Sequence, residues 1–105
     1  MGISEEQARR LYDGSKVYGH AGLLLGHLGQ VYVDLDTGTP IWATIIPQPG
    51  APARFVPLDH AHMDGIHLAL PYSTDQLATC PHRHTGEPPS VAQEDDLYRH
   101  YQLRN

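Results

Sequence analysis

The amino-acid sequence predicts an all-β fold, a small antiparallel β-barrel of about six strands with a C-terminal helical tail. Three observations support this prediction. Apolar and polar residues alternate on both sides of a turn within the stretch 26–42. Glycines stand at the points where this alternation shifts by one position. Further short strand-like runs, separated by turn residues, continue as far as residue 70.

The stretch 26–42 has the pattern of a long bent strand, a turn and a returning strand. Alternate apolar positions are occupied by Val31, Val33, Leu35, Ile41, Ala43 and Ile45, as in strands with one buried face. The turn contains Asp36 and Gly38, both of which are favoured in turns. The parity changes at Gly26 and Gly29, where bulges would bend the strand and help close a barrel. The alternative is two short strands joined by an ordinary loop.

The other strands are short and lie on both sides of this hairpin. They are predicted at residues 17–18, 54–58, 61–63 and 66–70. Asp64 and Gly65 provide a two-residue hairpin turn between the last two. Residues 47–52 contain three prolines and form a loop, because proline cannot donate to a strand ladder.

Three Ser-x-x-Gln boxes predict the starts of helices. They are Ser4 with Gln7, Ser73 with Gln76, and Ser90 with Gln93. The first begins a short helix over residues 5–12, and the second a single helical turn. The third begins the tail helix, whose apolar face of Val91, Leu97, Tyr98 and Tyr101 should pack on the barrel.

In order and spacing, these pieces resemble the PRC-barrel family, and most closely its bacterial stress-type branch. The resemblance covers residues 17–103, with two departures: Lys16 is the only lysine, and eight histidines are unusual for the family. The matching residues are Gly22, Leu25, Gly26, Leu28, Gly29, Val31, Tyr32, Val33, Asp34, Thr37, Gly38, Pro40, Trp42, Phe55, Val56, Pro57, Leu58, Leu70, Pro71, Tyr72, Gln76, Leu77, Glu94, Leu97, Tyr98 and Tyr101.

The resemblance implies a non-catalytic, metal-free adaptor that holds partner proteins. Relatives occur in the cytoplasmic part of the photosynthetic reaction-centre H subunit and in a ribosome maturation factor. Together with the capping boxes, it divides the chain into an N-terminal helical extension (1–13), a PRC-like barrel (14–80), and a linker with the tail helix (81–105). The stress-type branch often carries an additional C-terminal domain that this chain lacks, so we expect it to act alone or by self-association.

Composition and charge limit the kinds of partner and the cellular compartment that we expect for this chain. The chain has 105 residues and a net charge of −5, and an acidic surface disfavours direct binding of nucleic acid. An 18-residue apolar run is missing, so membrane insertion is not expected. Cys80 is the only cysteine, and with no apolar leader at the N-terminus it suggests a reducing, cytoplasmic location.

Histidine and cysteine supply the alternative hypothesis, a metal- or redox-responsive protein. The residues that would carry it are His60, His62, Cys80, His82 and His84. Their spacing matches no known zinc signature, so no bound metal is expected. Cys80 is predicted to be a small residue that fills the barrel edge.

The sequence does not predict an enzyme. Its serines occupy turn and cap positions, and no acid, base and nucleophile set is apparent. Asp34 is expected to bond the turn backbone. Neither catalytic residues nor cofactors are therefore predicted.

The residues predicted for interaction lie on the even-numbered face of the third strand and among the tyrosines. They are Trp42, Thr44, Ile46, Tyr32, Tyr98 and Tyr101. An exposed apolar patch there would favour a homodimer. In the alternative, the chain's own helices cover this face and Trp42 belongs to the core.

Overall fold

The computed structural model describes residues 2–11, 15–81 and 86–103. Its helices are α1 (Glu5–Ala8), α2 (Thr74–Ala78) and α3 (Val91–His100). Its strands are β1 (Lys16–Tyr18), β2 (Leu24–Val33), β3 (Pro40–Ile46), β4 (Arg54–Pro57), β5 (His62–Asp64) and β6 (His67–Ala69). A 3₁₀ turn at His20–Gly22 joins β1 to β2.

The six strands form one mixed sheet in the order β4-β3-β2-β1-β6-β5. Four neighbouring pairs are antiparallel, but β1 and β6 are parallel, with Val17 opposite Leu68 and Tyr18 opposite Ala69. The prediction of an entirely antiparallel sheet is therefore wrong. Side chains alternate with period two in both kinds of strand, so the sequence pattern does not encode direction. Among the described residues, the pairings leave β4 and β5 as the two ends and do not join them into a closed barrel.

Strand β2 is one continuous strand of ten residues, and its pairing is irregular at two glycines. Its register with β1 slips opposite Gly26, and its register with β3 slips around Gly29 and again between Tyr32 and Val33. Around Gly29 the amide of Gln30 donates to Oγ1 of Thr44 at 2.8 Å. The prediction of one long strand with irregularities at Gly26 and Gly29, in place of two short strands joined by a loop, is confirmed.

Two turns show how the hairpins are made. Oδ1 of Asp34 accepts from the amides of Asp36 (2.8 Å) and Thr37 (3.2 Å), the backbone role predicted for it. In the β5–β6 hairpin Asp64 pairs with His67, so the turn consists of residues 65–66, one position later than predicted. Gly65 there has a φ of 64°, which glycine adopts without a Cβ clash.

One apolar core joins all three predicted regions of the chain. Ile3, from the segment before α1, is buried with the strand residues, and Leu97 and Tyr101 reach the same core from the tail. Strand β3 is covered on both faces, since Trp42 and Ile45 are both fully buried.

All three predicted capping boxes are present at the starts of α1, α2 and α3. The first helix is shorter than predicted and ends at Ala8; residues 12 and 13 of the predicted extension lie outside the described residues. The predicted apolar face of α3 needs one correction. Val91 is 83% exposed because it stands at the first position of the helix, away from the sheet.

Candidate functional site

The face predicted to bind a partner is covered by the chain itself. Trp42 is only 1% exposed, and Thr44 is buried beside it in β3. The Trp42 ring lies 4.9 Å from the Tyr98 ring, between centroids, and its Nε1–H donates to Oε2 of Glu94 at 3.0 Å. Helix α3 thus occupies the place that a partner was expected to take. The prediction of an exposed Trp42, Thr44 and Ile46 patch is corrected, with only Ile46 partly accessible.

Of the tyrosines predicted for interaction, Tyr32 and Tyr98 are half-buried and Tyr101 is buried. The hydroxyl of Tyr32 donates to Oε1 of Gln30 at 2.7 Å. The hydroxyl of Tyr101 donates to the carbonyl of Phe55 at 2.6 Å. Burial, with a smaller contribution from Cys80, raises the pKa of Tyr101 far above its ordinary value. Tyr101 is therefore a core residue that satisfies a carbonyl on the end strand β4.

Tyr72, which belongs to the family pattern and to the tyrosines weighed as a partner patch, is buried. Its ring packs 4.7 Å from the ring of Tyr101, between centroids. Its hydroxyl is buried and has no hydrogen-bond partner among the described residues. Burial raises its pKa strongly, and Asp59 adds to the effect.

Three of the five metal and redox candidates, His60, His62 and Cys80, lie within the described residues. His60 and His62 are exposed, whereas Cys80 is 5% exposed and its Sγ faces the carbonyl of Phe55 at 3.7 Å. His82 and His84 lie outside the described residues. Within the described ranges there is no group of three or more His, Cys, Asp or Glu residues arranged to hold a metal ion.

Two further histidines make structural contacts. Nδ1 of His67 accepts from the amide of Lys16 at 3.0 Å, beside the parallel β1–β6 pair. Nε2 of His100 lies within hydrogen-bonding distance of the carbonyl of Gln76, and a carbonyl can only accept, so this nitrogen carries the proton. That bond ties α3 to α2.

A groove of about 460 Å³ is the larger of the two cavities described here. It lies between the proline-rich loop after β3, the start of β2, and α2. Its lining residues are Leu24, Leu25, Pro47, Gln48, Ala51, Pro52, Arg54, Thr74, Leu77 and Ala78. Leu25 and Leu77 are buried, while Leu24 remains 48% exposed. Its size falls within the range of about 300–1,000 Å³ typical of ligand sites.

Three polar side chains interrupt the apolar lining of this groove: Gln48, Arg54 and Thr74. Arg54 is the only charged one, and its Nη1 donates to the carbonyl of Cys80 at 3.2 Å. The arrangement can bury an apolar group and place a cation beside it. Sequence reasoning identified the loop but missed the groove, because α2 and β2 meet the loop only in the folded chain.

A second, more open cavity of about 320 Å³ lies near the N-terminal segment. Gly2, Asp59, His60 and Tyr98 are among its lining residues. Asp59 and His60 are exposed, and the cavity's lining contains no serine or cysteine that His60 could activate.

Comparison of the sequence with models of known families gives no match, and comparison with curated proteins gives none either. Among the described residues, none of the helices has the length and apolar character needed to cross a membrane.

Proposed function

We propose that this protein is a non-catalytic binding module that holds a segment of another protein in the groove. The sequence resemblance to PRC-barrel adaptors supports the module, and with it a sheet that closes as a PRC-type barrel. The single observation that carries the proposal is the apolar groove itself. Its rim leaves Leu24 about half exposed although the side chains below it are buried.

This assignment moves the binding surface away from the face expected from the sequence. Trp42 and Thr44 are buried by contacts within the chain, and a partner would have to displace α3 to reach Trp42. The groove needs no such rearrangement. A cytoplasmic location and a bacterial stress role stay predictions from the sequence. The homodimer predicted from the sequence has lost the surface assigned to it.

The test is site-specific photo-crosslinking in the native cell. A photoreactive amino acid replaces Leu24 at the groove rim. As a matched control it replaces Val91 on α3, which is more exposed than Leu24 and does not line the groove. We expect one discrete crosslinked protein from position 24 and none from position 91. Adding Ala51→Arg, which fills the groove, should remove the product while the melting temperature stays unchanged.

The same product from both positions, or a product from position 24 that survives Ala51→Arg, would refute a groove-based module. So would the absence of any product from position 24 in cells that express the protein at its natural level.

A further inference from the structure

The lining of the groove indicates the charge of a bound ligand as well as its apolar character. Among the residues that the structure describes, Arg54 is the one charged side chain in its lining, in a chain whose net charge is −5. None of the described lining residues is acidic. Arg54 makes one hydrogen bond, to the carbonyl of Cys80, and forms no ion pair with any described residue. A guanidinium has five N–H donors, so most of them remain available.

We propose that the segment bound in the groove presents an aliphatic side chain next to a carboxylate, and that Arg54 selects the carboxylate. This inference rests on the proposed function. The aliphatic group would pack against Leu25 and Leu77, and the carboxylate would accept from Arg54. Arginine suits this role because its planar fork matches carboxylate geometry.

The position of Arg54 favours discrimination between a carboxylate and an amide, beyond a general attraction of anions. Arg54 lines the groove, and its bond to the carbonyl of Cys80 restricts the orientation of the guanidinium. Less side-chain entropy is then lost when an anion binds. A cation that is already oriented discriminates between an acid and its amide more sharply than a freely moving one.

The remaining polar residues favour a peptide over a simple aliphatic acid. Gln48 and Thr74 each carry a donor and an acceptor at the groove. A bound peptide has backbone N–H and C=O groups that need such partners, whereas an alkyl chain has none.

Selection from a phage-displayed library of random heptapeptides on the full chain tests this inference. We expect the enriched peptides to combine Leu, Ile or Met with Asp or Glu within two positions. Selection on Arg54→Gln should keep the aliphatic residue and lose the acid. Arg54→Lys should keep both, and melting curves of the two variants check that loss of the bond to Cys80 has not unfolded the chain.

The best peptide and its Glu→Gln or Asp→Asn analogue then provide the quantitative measurement, by titration and by NMR mapping of the bound site. We expect the acid to bind about fivefold tighter at low salt, with the difference shrinking as salt rises. In Arg54→Gln the difference should disappear. Decanoate is titrated separately as an aliphatic acid without a backbone.

Each result has a distinct meaning. Peptides that map to the groove without preferring an acid would overturn the role of Arg54 and leave the binding module standing. Peptides that map elsewhere, or no enrichment at all, would overturn both. Decanoate binding in the groove more tightly than every selected peptide would replace the peptide with a fatty-acid ligand.

Discussion

Nε1 of Trp42 in β3 donates to Oε2 of Glu94 in α3 at 3.0 Å, across 52 positions of the sequence. The same helix places Tyr98 against the Trp42 ring. Together these contacts bury Trp42, on the face of β3 that the sequence predicted to bind a partner. The tail is therefore held by a polar bond and an aromatic contact in addition to its apolar face.

The first prediction concerns this bond. Glu94→Ala removes the acceptor and leaves the buried indole N–H unpaired, so it should lower the free energy of unfolding by about 1–3 kcal/mol. Glu94→Gln keeps a side-chain oxygen and should cost less than half as much. Urea denaturation measures both. Equal losses in the two variants would show that the carboxylate charge, and not the hydrogen bond to Trp42, stabilises the tail.

The second prediction concerns the tail helix. Deletion of the chain from Ser90 onward removes Leu97 and Tyr101 from the core and uncovers Trp42. Loss of several large apolar contacts should lower the unfolding free energy by at least about 3 kcal/mol, with a clear fall in melting temperature. Val91→Ala is the matched control, and at an exposed site it should change stability by under about 0.5 kcal/mol. An unchanged melting curve on truncation would contradict a structural role for α3.

The features that the sequence predicted well are local ones. Each capping box needs only a serine and a glutamine three positions apart, and all three formed. The bent strand followed from glycines at the parity changes. Val91 was misplaced because its apolar character was read as burial, although a residue in the first helical turn can point past the end of the core.

The features that it missed depend on distant segments meeting. The parallel pairing of β1 and β6 joins residues about 50 positions apart. The alternation of apolar and polar residues does not encode whether a pair is parallel. Trp42 is of a residue type that is common at interfaces, and only the position of α3 shows that it is covered. The sequence predicted Arg54 only as a strand residue. The loop and the helix that form the groove with it come before and after it in the sequence, and they meet only in the folded chain.

The third prediction concerns high pH. Burial raises the pKa values of Tyr72 and Tyr101, so the folded chain keeps both phenolic protons at pH values where the unfolded chain loses them. Their contribution to stability is complete below pH about 10 and falls as the pH rises above it, by up to roughly 1.4 kcal/mol per pH unit for each tyrosine. Urea denaturation between pH 8 and 11 measures the slope.

Tyr72→Phe provides the matched variant for that measurement. Its hydroxyl has no partner among the described residues, so removing it breaks no hydrogen bond there. We expect neutral or slightly higher stability at pH 7 and about half the loss above pH 10. Tyr101→Phe should differ by also losing about 1 kcal/mol at pH 7, because the carbonyl of Phe55 loses a donor. A wild-type stability that stays flat to pH 11 would contradict the burial of both hydroxyls.

The fourth prediction concerns the first bend of β2. A Cβ at Gly26 would stand 2.3 Å from the carbonyl oxygen of Ile46, so the backbone of β3 would have to shift. Gly50 also has a positive φ, of 81°, but open space around its Cβ position. Gly50→Ala should therefore cost about 1 kcal/mol from backbone strain, and Gly26→Ala at least about 2 kcal/mol more. Similar losses in thermal unfolding would mean that β2 and β3 are not this close.

The last prediction concerns self-association. The dimer expected from the sequence depended on an exposed Trp42 face, and helix α3 now covers that face through Glu94 and Tyr98. We therefore expect sedimentation equilibrium to give the mass of one chain, 11.6 kDa, throughout the micromolar range. Leu24→Glu serves as the diagnostic variant, since Leu24 is an apolar side chain left partly exposed at the groove. A wild-type dimer that Leu24→Glu dissociates would contradict the monomer and show that a second copy occupies the groove rim. A dimer that persists in this variant would place the contact on another surface and leave the groove free for a peptide.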